Sequence, residues 1–327
     1  MPPNRNGIFS AQSFFSNELQ SREYFFIILI VVLAFLAGYL YRKNNGNGKP
    51  VKGKGTAENS PHSTMNPQSA EELQIPHTGI HILFFENLRI ISGTGEDIAA
   101  KLTPKLKQLF ILLTISSIDF KTRFKGITTE KLNTTLWPDH PRENVKNNRN
   151  VSINHLRSLL DEIGGIEIVY NKNLWYVSFD DSVRFDLMDY FKLKESFMKS
   201  DDPRKDMKNL LNLIGKGKLL DDCNFDWLDN YKIKIHEDIV SFLLKAVQMV
   251  NNKMDDDELL SAAQVILKYD TLNEFAMQLK IRQLLKLGKT KAARDYFITY
   301  TNEYKDILGQ NYKQSFEKIK NNGLFDN

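Results

Sequence analysis

The sequence predicts a mixed α+β domain followed by an all-α domain, with one membrane-spanning helix ahead of both. Three observations carry that reading. Residues 24–41 are an unbroken apolar run. Between residues 80 and 180, short β-rich runs flank three stretches with helical punctuation. From residue 184 onward the apolar residues follow a helical period, with no strand-like alternation. At 327 residues the chain has room for about two domains.

The membrane helix comes first. Residues 24–41 read YFFIILIVVLAFLAGYLY, 18 residues without a charge and with a tyrosine at each end. At 1.5 Å per residue such a run nearly crosses a hydrocarbon core of about 30 Å, and tyrosine suits both interfaces. Before it, Arg5 and Arg22 cancel Glu18 and Glu23; after it, Arg42, Lys43, Lys49, Lys52 and Lys54 precede the first acid, Glu58. The excess of positive charge on the later side puts residues 42–327 in the cytoplasm and 1–23 outside as a short extracytoplasmic N-terminus. A cleaved signal peptide and a buried core helix are the competing readings. A signal peptide wants its basic residues before the apolar run, not after it. Residues 44–76, rich in Asn, Gly, Lys, Ser and Pro, read as a solvated tether within a linker spanning 42–79.

The α+β region, 80–180, follows. Residues 80–86 (IHILFFE) and 88–92 (LRIIS) are strands, and residues 96–102 supply a third after the Gly93-Thr94-Gly95 turn. Thr103-Pro104 starts a helix, a hydroxyl cap with proline at the first helical position. Leu106, Leu109, Phe110 and Leu113 form its apolar stripe. A second helix runs from the Thr128 cap to Trp137-Pro138. A third covers roughly 143–163 and stops at Gly164-Gly165. Residues 166–170 and 174–179 close the region as a hairpin around Asn171-Lys172-Asn173.

That order of elements resembles the winged helix-turn-helix domain of OmpR/PhoB-type transcription regulators. LTPKLKQLFILL is similar to that family's first helix. ITTEKLNTTLWPDHPRENVKNNRNVSINHLRSLLDEIGG is similar to its second and third, with Leu-Trp before the turn and Leu-Arg late in the recognition helix. The resemblance covers about 100 residues and implies binding to double-stranded DNA. It places contacts on Asn147, Asn148, Val151, Asn154, His155 and Arg157, with Lys172 on the hairpin entering the minor groove. Two departures stand out. Arg149 falls on the apolar side of the helix, so either the helix begins later or Arg149 reaches along the backbone to a phosphate. The hairpin also lacks the glycines common in the family's wing.

The third helix supports the same chemistry from its own residues. Val145, Ile153, Leu156, Leu160 and Ile163 share one side at 100° per residue. The opposite side is centred on Asn147, Val151, Asn154 and Ser158, with Lys146, Asn150 and Arg157 flanking it, and no carboxylate occurs from Lys146 through Ser158. Such a face suits a negatively charged groove. Asn can read adenine edges, Val can touch a thymine methyl, and Lys or Arg can hold phosphate or guanine. The bland alternative is a solvated polar face.

From 184 to 321, helices are expected at about 186–199, 203–214, 225–251, 255–268, 272–287, 290–307 and 310–321. Phe242, Leu243, Ala246, Val247 and Val250 make a long apolar face within the third of these. Gly288, Ala293 and Phe297, after the helix at 272–287, have the spacing of one tetratricopeptide-like unit. The block DDELLSAAQVILKYDTLNEFAMQLKIRQLLKLGKTKAARDYFITYTNEYKDILGQNY resembles the bacterial transcriptional activator domain. That resemblance implies self-association or contact with a protein partner; the residues alone support a helical repeat with a binding groove.

The remaining chemistry is negative. Cys223 is the single cysteine, which excludes a disulfide framework and a multi-thiolate metal site; it reads as a small buried apolar residue. No two of the six histidines have a metal-ligand spacing. Asp255-Asp256-Asp257-Glu258 opens a helix and lacks the glycine and spaced oxygens of a calcium loop. The Gly215–Lys218 stretch matches no phosphate-binding motif. No catalytic residues, metal or cofactor are expected. The net charge of +4 arises entirely before residue 181. The expected function is sequence-specific DNA binding by a transcription regulator anchored in the bacterial inner membrane, with residues 42–327 cytoplasmic. The runner-up is a membrane-anchored interaction scaffold, whose third helix should expose aromatic or aliphatic side chains instead.

Overall fold

The computed structural model describes residues 79–118, 126–200, 202–250 and 253–321. The apolar run at 24–41 and the tether at 44–76 lie outside these residues. Among the described residues no helix is long and apolar enough to cross a membrane.

The α+β part opens with β1 (Ile80–Leu83) and β2 (Arg89–Ile91), paired antiparallel with Ile82 opposite Ile90. Three helices follow: α1 (Pro104–Ser117), α2 (Thr129–Leu136) and α3 (Arg142–Asp161). Thr103 caps α1 through the Leu106 amide, and Thr128 caps α2 through the Lys131 amide. A hairpin of β4 (Ile166–Asn171) and β5 (Leu174–Phe179) then pairs with the short β3 (Ile127–Thr128), giving a sheet of order β3-β5-β4. This is a winged-helix domain.

Residues 96–102 do not form the expected third strand. The Asp97 carboxylate accepts from the Ile90 and Ala99 amides at 3.0 Å each, and the chain turns into a short 3-10 helix, Ile98–Lys101. One bridge from Ile91 to Asp97 is all that remains of strand pairing there. The third place in the first sheet goes to β6 (Val183–Phe185), which lies parallel to β1 with Phe185 beside Ile82. That strand was not anticipated.

Helix α1 is buried more fully than an apolar stripe requires. Ile111, Leu112 and Thr114 are buried beside Leu106, Leu109, Phe110 and Leu113. Its polar Gln108 is engaged from the helical part, where the Trp227 indole N–H donates to Oε1 at 3.3 Å.

The helical part comprises α4 (Asp186–Lys199), α5 (Arg204–Ile214), α6 (Asp226–Val250), α7 (Asp256–Tyr269), α8 (Glu274–Lys286), α9 (Thr290–Leu308) and the short α10 (Phe316–Asn321). Consecutive helices pack as pairs, α4 on α5, α7 on α8 and α8 on α9. At the repeat-like unit Gly288 takes a left-handed φ of 72°, Ala293 is fully buried, and Phe297 meets Phe316 edge to face. The helix expected over 310–321 is only Phe316–Asn321. Gly309 ends α9 in the left-handed conformation, φ 68°, and the next residues are irregular. Asp255 and Glu258 form a capping box at the start of α7, which accounts for the acidic run. Cys223 is buried, and burial together with Asp222 pushes its thiol up to about 12.

The two parts are stitched along one seam. The chain just after β1 pairs with the segment before α6: Glu86 N–H donates to the Lys218 carbonyl at 2.9 Å, Leu220 N–H to Phe84 and Asp221 N–H to Glu86, both at 2.6 Å.

Candidate nucleic-acid interface

Helix α3 is held by one apolar side. Val145, Ile153, Leu156 and Leu160 are buried, and the helix packs on β4, α1 and α2. It ends at Gly164 and Gly165, with φ of 70° and 67°. Gly165 has no room for a side chain, since a Cβ there would lie 2.9 Å from Ile80 and 3.0 Å from Val183. The end of α3 is therefore pinned against the first sheet, and the opposite side is left to solvent.

Lys146, Asn147, Asn150, Val151, Asn154, His155 and Ser158 are exposed on that opposite side. Val151 at its centre is 59% exposed. The structure thus brings most of the expected contact residues onto one surface. Two differ in kind. Asn148 is half-buried, with its amide nitrogen 3.4 Å from His140 Nδ1. Arg157 is half-buried and donates through Nη2 to the Ile168 carbonyl at 2.7 Å, which ties α3 to β4.

Neither expectation for Arg149 holds. The helix begins at Arg142, not later, and the Arg149 guanidinium stays within the protein. It donates to Asn133 Oδ1 on α2 at 3.3 Å and to Asn150 Oδ1 at 3.2 Å. A polar partner on the facing helix makes a cation acceptable on the inner side.

The hairpin supplies the second element. Lys172 and Asn173 both have positive φ, 48° and 65°, the backbone of a type I′ turn. Asparagine tolerates that conformation, so the turn forms without glycine. Lys172 is exposed at its tip. Tyr170, 48% exposed, packs on Trp175 with ring centroids 4.5 Å apart and donates its hydroxyl to Asn173 at 3.4 Å. The Trp175 indole N–H donates to Thr129 Oγ1 at 2.9 Å, and the Val177 amide donates to Ser117 Oγ at 2.7 Å, so β5 is tied to both α2 and α1.

Tyr170 escaped the sequence reading. Strand alternation from Ile166 and Ile168 would turn it inward, but the hairpin overhangs the core and leaves it in the open. Among the described residues no cluster of three or more His, Cys, Asp or Glu side chains is arranged to hold a metal ion.

The sequence matches no protein-family model and no curated protein. In three dimensions the chain is similar to Mycobacterium tuberculosis EmbR, solved in complex with a low-affinity phosphopeptide. The TM-score is 0.53 at 15% identity, over 74% of this chain and 63% of that one. The likeness is one of fold. It joins the winged helix and the helical part in one comparison, and the chain spans a little under two thirds of EmbR's length.

Proposed function

We propose that this chain is a sequence-specific double-stranded DNA-binding transcription regulator, anchored in the bacterial inner membrane by residues 24–41 and performing no catalytic step. One observation carries the DNA reading: the solvent face of α3 is polar, basic and free of carboxylates from Lys146 to Ser158, with an exposed lysine on the adjoining wing. Helix and wing together suit a major groove and the minor groove beside it.

The anchor and the cytoplasmic placement of residues 42–327 rest on the apolar run and the basic residues after it. The helical part is proposed to bind a protein partner or a second copy. In support, an open groove of about 720 Å³ along α6 is lined by Ile233, His236, Val240, Leu244 and Tyr269. EmbR's phosphopeptide belongs to EmbR.

The scaffold reading is favoured by a specific observation as well, the exposure of Val151 and Tyr170. Salt dependence separates the two. Lys146, Lys172 and Arg142 offer about three phosphate contacts, and a log–log slope of affinity against salt near −3 is expected for the full-length protein in detergent. A slope near zero, or no duplex retained at 50 mM salt, would sink the DNA reading. Cell fractionation tests the anchor: the full chain should stay with the membrane after alkaline washing, and deletion of residues 24–41 should release it.

A further inference from the structure

We propose that the half-site read by α3 is built of A·T pairs, with asparagine amides on adenine and Val151 against a thymine methyl. This deepens the DNA-binding reading and rests on it. Guanine is most often recognised by a bidentate Arg or Lys on O6 and N7. Both arginines within the acid-free stretch of α3 are engaged inside the protein: Arg149 holds Asn133 and Asn150, and Arg157 holds the Ile168 carbonyl. Lys146 lies about 100° around the helix from Asn147, at the rim, where a phosphate is the nearer partner.

What remains at the centre is Asn147, Val151 and Asn154. Asn147 and Asn154 make no side-chain hydrogen bond among the described residues, so each keeps both an acceptor oxygen and a donor nitrogen. That pair matches adenine N6–H and N7. Asn150 differs, because its oxygen already accepts from Arg149. Its amide nitrogen keeps both donors for adenine N7 or thymine O4, while one of the two lone pairs on its oxygen is already taken by Arg149. The rise from Asn147 to Asn154 is about 10.5 Å, close to three base steps of 3.4 Å. Val151 stands between them, placed for a thymine C5-methyl.

The test uses the full-length protein in detergent with a randomised duplex library, followed by base analogues in the selected site. The expected result is enrichment of A·T pairs across the α3 footprint. Replacing single adenines with 7-deazaadenine, which lacks N7, should then weaken binding by roughly 5- to 150-fold at the asparagine positions. Replacing one thymine with uracil should weaken it about fourfold, the worth of one buried methyl. Val151→Ala should abolish that uracil effect, and Asn154→Ala should abolish one deazaadenine effect. Tight, salt-dependent binding to a G·C-rich site, or indifference to both analogues, would overturn this inference and leave the DNA-binding reading standing. Failure to retain any duplex would overturn both.

Discussion

Asp186 is a buried carboxylate at the start of α4, one residue past β6. Its oxygens accept the Phe84 and Phe85 amides at 2.9 Å, where the chain leaves β1 and those amides have no strand partner. Burial pushes its pKa up to about 7, against the opposing pull of those amides and of Lys216. Removing the carboxylate leaves two buried donors unpaired, so Asp186→Ala should destabilise the protein by ~1–3 kcal/mol for each. The pH dependence has a definite sign. A carboxyl whose folded pKa lies above its unfolded value binds more protons in the folded state between the two. Its contribution is complete below about pH 4 and is lost as pH rises through about 7. Urea midpoints measured across that range should therefore show the advantage of wild type over the alanine variant shrinking as pH rises. A difference that stays flat, or grows, would mean that Asp186 is not buried as described.

At the scale of elements, the wing and α3 divide the work. Lys172 sits on a turn fixed by its own backbone, away from the centre of the α3 face. Lys172→Ala should accordingly weaken binding to all duplexes alike and lower the salt slope by about one, with the sequence preference unchanged. A changed preference would show that the wing reads bases. The elements legible in the sequence were those with local causes. Thr103-Pro104 and Thr128 cap helices, Gly164-Gly165 ends one, and Asn173 tolerates a left-handed turn. The exposed face of α3 was legible because a 3.6-residue period separates inside from outside without reference to any other element. What escaped depends on distant partners. The Asp97 side chain competes with strand pairing at 96–102, β6 completes a sheet begun 103 residues earlier, and Asn133 on another helix explains Arg149. Periodicity holds no record of such partners, and it could not have shown that Arg149 and Arg157 are engaged within the protein.

Across the whole molecule, the winged helix and the helical part share a seam that neither half could satisfy alone. Phe84, Glu86 and Leu88 sit in the first half by sequence. Their backbone groups pair with Lys218, Leu220, Asp221 and the Asp222 carboxylate in the second. Phe85 is buried there edge to face with Tyr190 of α4, and Trp227 of α6 reaches Gln108 of α1. Splitting the halves would strand several backbone donors and acceptors and bare apolar surface on both sides, each group costing ~1–3 kcal/mol. Against a net stability of only about 5–15 kcal/mol for a typical native protein, that is enough to bind the two into one cooperative unit. Tryptophan placement makes this measurable. Trp175 lies in the wing and Trp227 in the helical part, so two variants, each keeping one of them as its only tryptophan, report the halves separately. Their urea transitions should coincide in midpoint and slope, as two-state unfolding requires. If the Trp175 signal were lost at clearly lower urea than the Trp227 signal, the seam would be a docking contact between independent domains, and the winged helix could move while the helical part stays folded.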